Sequence, residues 1–129
     1  MANRSRTISM TIRLQMTLAV LWVLLLPACS ASTPPLGRGL PKTFAPMAPD
    51  FDKRIKQRFP AGSDEEQLLA ELRSERFKIR EIDDPSSRYR HSALYEHPGV
   101  ACKESWTIQW TDDHAKITSI EGRYRQVCL

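Results

Sequence analysis

The residues of this 129-residue chain best able to do chemistry are three cysteines, three histidines and a run of carboxylates near residue 112. Asp112-Asp113-His114 sets two acids beside an imidazole, a combination used in general acid–base catalysis. A polar hairpin tip explains the same three residues without any such role. His91 and His97 fall near the ends of a candidate strand and His114 in a turn. Surface or partly buried histidines account for them better than a zinc site does. The sequence contains no glycine-rich phosphate loop, Gly-x-Ser-x-Gly, His-Glu-x-x-His or Cys-x-x-Cys. No catalytic residue, metal ligand or cofactor is therefore assigned, and the chain is read as a non-enzyme.

The cysteines say more. Arg4, Arg6 and Arg13 precede an apolar stretch from Met16 to Leu26, and no acidic residue appears before Asp50. A basic start, a short apolar middle and small residues after it define an export leader. The stretch is too short for a membrane span, which takes about 20 apolar residues. Met10 would serve as a start as well as Met1. Leu26-Pro27-Ala28-Cys29, at the end of the stretch, resembles the bacterial lipobox. That resemblance implies cleavage between Ala28 and Cys29, a diacylglycerol on the Cys29 thiol and a further acyl chain, such as palmitate, on its amine. Two or more chains hold a protein stably on a membrane. Ser30 in the next position is compatible with transfer to the outer membrane, with retention at the inner membrane the alternative. An ordinary leader ending near Ala31 would instead discard Cys29. The remaining pair, Cys102 and Cys128, reads as a disulfide, since exported proteins meet an oxidising periplasm.

Residues 1–28 are thus expected to be a lipoprotein signal peptide, 29–49 a lipidated and proline-rich tether, and 50–129 a small periplasmic domain. Three of the nineteen Lys and Arg belong to the leader, so sixteen stand against fifteen Asp and Glu in the remainder. A mature chain so close to neutral gives no support to nucleic-acid binding. Pro34, Pro35, Pro41, Pro46 and Pro49, with Gly37 and Gly39, give the tether its linker composition. On that reading, removing residues 34–47 leaves stability unchanged.

Asp50 is expected to cap a first helix that buries Phe51, Ile55 and Phe59 on one face. Ser63 and Glu66 have capping-box spacing ahead of a second helix, about 64–74, with Leu68, Leu69 and Leu72 as its stripe. Alternation marks strands over 77–82, about 88–96 and, most clearly, through Trp106, Ile108 and Trp110. Asp112-Asp113-His114-Ala115 is expected to turn the chain into a last strand. Ile117 and Ile120, three apart, require a bulge there, for which Gly122 is a second candidate. With Thr111 opposite Lys116, Cys102 faces Arg125, three residues short of Cys128.

The fold class is therefore α+β, two N-terminal helices on a three- or four-stranded antiparallel meander. In its lipobox, its tether, the capped helix after Gly62 and its aromatic meander, the chain distantly resembles the small SmpA/OmlA-type outer-membrane lipoproteins. That resemblance implies an accessory role in the envelope and transfers no catalytic residue. The candidate interaction surface comprises Trp106, Trp110 and Tyr124, which at strand spacing suit a core as well as a stacking platform, with Arg88, Arg90, Arg123 and Arg125 as a cationic strip. The expected partners are the membrane, through Cys29, and another envelope protein. An inhibitor or glycan-binding role is the alternative, and a small hydrolase a more distant one.

Overall fold

The computed structural model describes residues 33–41 and 44–128, the side chains of 44–48 excepted. The leader, the lipobox with Cys29 and the first residues of the expected tether lie outside the described residues. Two α-helices, α1 (Phe44–Arg58) and α2 (Glu65–Ser74), precede strands β1 (Lys78–Glu81), β2 (His91–Pro98), β3 (Cys102–Asp113) and β4 (Lys116–Cys128). The strands form one antiparallel sheet in the order β1-β2-β3-β4. The expected α+β class and meander are what the chain adopts.

Both helices cover the same face of the sheet. That face carries Ile79, Ala93, Trp106, Ile108, Trp110, Ile120 and Tyr124, which pack with Phe51, Ile55, Leu68 and Leu72 from the helices. α1 starts six residues before the expected Asp50 and contains Pro49. Pro49 stands beyond the first turn, where its missing N–H removes one intrahelical hydrogen bond. Phe51 and Ile55 are wholly buried, as their spacing predicts. Gly122 is where α1 crosses β4: a Cβ at that position would lie 2.9 Å from Ile55 Cγ1 and 3.0 Å from Phe51 Cδ1. Close helix approach, rather than a bulge, is the reason for glycine here. Its N–H donates to Asp52 Oδ1 at 3.1 Å.

The bulge lies at Thr118. Asp112 pairs with Ile117 and Thr111 with Ser119, so Thr118 is the extra residue, and its Oγ1 donates to the Thr111 carbonyl at 2.9 Å. Ile117 and Ile120 both face inwards as a result. The turn is tighter than expected, with Asp113 opposite Lys116 and only His114 and Ala115 between them, at φ 49° and 60°. Positive φ at both central residues is the two-residue hairpin geometry that matches strand twist. In this register Cys102 sits opposite Cys128, and the two are disulfide-bonded.

Two further expectations are corrected. The first helix turn of α2 has no capping box, since its N-cap is Asp64 and no side chain caps it. The hairpin tip takes that role: Glu65 N–H donates to the Ala115 carbonyl at 3.0 Å, and Gly62 N–H to the Ile117 carbonyl at 2.7 Å. The second correction is that residues 34–41 are part of the fold. Pro35–Gly37 form a 3-10 turn in which Pro34 and Leu36 are buried. Leu36 N–H donates to Glu75 Oε2 at 3.0 Å, and Arg54 Nη1 donates to the carbonyls of Leu36 and Arg38. Proline and glycine here shape a strap that fits against Trp106, from whose Nε1 a Cβ on Gly37 would be only 2.8 Å away.

Candidate functional site

Where the N-terminus of α2 meets the turn end of the sheet, three ionisable side chains converge from different elements. Glu65 opens α2, His91 opens β2, and Asp112 lies two residues beyond Trp110 on β3. Register places His91 opposite Trp110, and the two rings stack with centroids 5.3 Å apart. Trp110 Nε1 donates to Glu65 Oε1 at 2.7 Å, which holds the carboxylate over the sheet. His91 Nε2 stands 2.9 Å from Asp112 Oδ1 and 3.8 Å from Glu65 Oε1. The three side chains are only 16–23% exposed.

His91 and Asp112 of this trio line a cleft of roughly 950 Å³ between the β1–β2 connection and the β3–β4 turn. Glu81, Asp83, Asp84, Asp112 and Asp113 supply five carboxylates to its lining, against the single guanidinium of Arg90. Asp84 accepts from the Ser86 hydroxyl and N–H, which lowers its carboxyl below the ordinary value. His114, at the rim, pairs with Asp113 at 2.8 Å and is highly exposed. Chemically the trio can share an imidazolium proton or coordinate a cation. Among the described residues, His91 Nε2 faces carboxylates and not a hydroxyl or thiol that it could activate as a nucleophile.

The expected surface divides differently. Trp106, Trp110 and Tyr124 are 1%, 0% and 8% exposed, so they are core and offer no stacking platform. Burial, with the bond that its O–H donates to Glu104 Oε1 at 3.1 Å, pushes the Tyr124 phenol up to about 12. Arg90 turns to the acidic cleft. Arg88 lies beside the Tyr89 phenol, whose O–H donates to Glu121 Oε2 at 2.8 Å. Arg123 donates to the same Glu121 carboxylate at 2.8 Å, which lowers that acid and raises the guanidinium.

Arg123 and Arg125 share the helix-free face of the sheet with Lys78, Arg80 and Lys103 by strand alternation. Two acids lie among these five cations, Glu121 and Glu96, the latter bound to Lys103 at 2.6 Å. A shallow groove of about 540 Å³ beside the two arginines is lined by Ser105, Thr107 and Gln109.

His91 and Asp112 stand apart in the sequence, and Glu65 falls within the first turn of the expected helix over about 64–74. Only tertiary structure joins them, since Glu65 and Asp112 are 47 positions apart and no periodicity links them. No protein-family model, curated protein or solved structure matches the chain.

Proposed function

We propose that this protein is an exported lipoprotein of the bacterial envelope, a non-catalytic adapter anchored through acylated Cys29. Its helix-free sheet face, carrying Lys78, Arg80 and Arg125 beyond the paired cations, engages an acidic region of another envelope protein. The observation that carries the reading is the pairing of Cys102 with Cys128 across the open end of β3 and β4. A bridge between in-register strands belongs to an oxidising compartment, and it leaves Cys29, at the end of an export leader, as the one cysteine available for lipid. Helices set before a meander are also compatible with the resemblance to the SmpA/OmlA type, and Ser30 favours the outer membrane. Confinement to a membrane raises the effective concentration of a weak adapter near membrane partners.

The test is metabolic labelling with an alkyne fatty acid, followed by membrane fractionation of the wild type and of Cys29→Ala. Label and membrane association should both vanish in the variant. Persistence of either would overturn the anchoring, and crosslinking from the Arg125 face then identifies or denies the partner.

A further inference from the structure

We propose that Glu65, His91 and Asp112 form a binding site for a single zinc ion. The three donor atoms lie within 4.8 Å of one another. Ligands of a tetrahedral zinc at about 2.0–2.2 Å stand roughly 3.3–3.5 Å apart. The observed separations of 2.9 and 3.8 Å from His91 Nε2 bracket that value. Small rotations of side chains already in place would create the site, with no backbone movement.

Charge favours the same occupant. With a neutral imidazole the trio carries two negative charges in a setting less than a quarter exposed. Proton sharing offsets one of them and a divalent cation both. The imidazole selects zinc over the hard cations that carboxylates alone would hold. An outer layer is present too: the Trp110 N–H fixes Glu65 and its ring supports the imidazole, the arrangement that orients metal ligands. Carboxylates around the cleft raise the local concentration of cations. Three protein ligands leave the fourth position open towards the cleft, where water or a donor from a bound partner would complete the shell. The site does not depend on the membrane anchoring proposed above, because all three ligands belong to the folded domain.

Zinc chloride titrated into chelator-treated protein should give one-to-one binding by calorimetry. It should also raise Tm by roughly 10–20 °C at a hundredfold excess over Kd, and it should shift the His91 Nε2 resonance in an imidazole nitrogen spectrum. Glu65→Gln, which keeps an acceptor for Trp110, and Asp112→Asn, of equal size, should each weaken zinc by at least about tenfold. Circular dichroism confirms that both variants are folded. His114→Ala, at the exposed rim, should bind as the wild type does. The proposal is overturned if zinc produces neither heat nor a shift at His91. It is equally overturned if both carboxamide variants retain wild-type affinity, or if magnesium and calcium bind as tightly as zinc, since the acidic rim alone would then hold the cation.

Discussion

Leu36→Ala should destabilise the folded domain severely, although Leu36 lies in a stretch whose composition is that of a linker. Its side chain is 6% exposed and belongs to the central apolar cluster. Truncating a buried leucine costs about 2–5 kcal/mol. Leu36 sits on a peripheral strap that can partly collapse into the space, which places the loss near the lower end, about 2–3 kcal/mol. For a domain of this size each kcal/mol moves Tm by roughly 4–8 °C, so the expected fall is about 10–20 °C. Backbone bonds from Leu36 to Glu75 and from Arg54 to the strap survive the substitution, so the change isolates burial. Thermal unfolding followed by circular dichroism on the lipid-free chain from residue 30 onwards reads it directly. A shift smaller than about 3 °C would mean that the strap does not pack in solution and that residues 34–41 are a tether after all.

Two other perturbations test the sheet. Replacing Cys102 and Cys128 by serine releases a loop with a sequence separation of 26 and should cost about 3–4 kcal/mol; urea unfolding with and without reductant measures it, and equal midpoints for verified thiol and disulfide forms would contradict the bridge's role. Tyr124 keeps its proton to about 12 in the folded chain while an unfolded tyrosine releases it near pH ~10. The stability it contributes is therefore complete below about pH 10 and is lost as pH rises through about 12. Phenolate absorbance and urea midpoints across that window should show the loss, and Tyr124→Phe should flatten it.

Much of the sheet is legible in the sequence because one face is buried. Alternation through Trp106, Ile108 and Trp110 forces a strand, and two inward isoleucines three apart force a bulge. The place of the turn is legible but its two-residue form is not, because His114 and Ala115 adopt positive φ without the glycine or asparagine that usually signals it. The strap is hidden for a different reason: Pro34, Pro35 and Gly37 are linker residues by composition, and only the Trp106 surface they meet makes them structural. Glu65 is concealed by its position. An acid in the first turn of a helix is explained by the helix dipole, and nothing local says that a tryptophan and a histidine wait opposite.

Turn, bulge and bridge depend on one another. A two-residue turn between Asp113 and Lys116, continued without interruption, would set Cys102 opposite Val127 and Ile120 opposite Gln109. The cysteines would miss each other, and Ile120 would face solvent on the polar side of the sheet. One extra residue, Thr118, moves the rest of β4 by one position, turning Ile120 inwards and bringing Cys128 level with Cys102. The bridge in turn resists slippage, because a shift of one residue would separate the two sulfurs. At the other end the same hairpin lends its Ala115 carbonyl to the N-terminus of α2. The Glu65 carboxylate, one residue past the N-cap, reaches Trp110 and His91. The inserted residue in β4 thus locks the far end of the sheet, while the two-residue turn ahead of it orders the end that carries the acidic cleft.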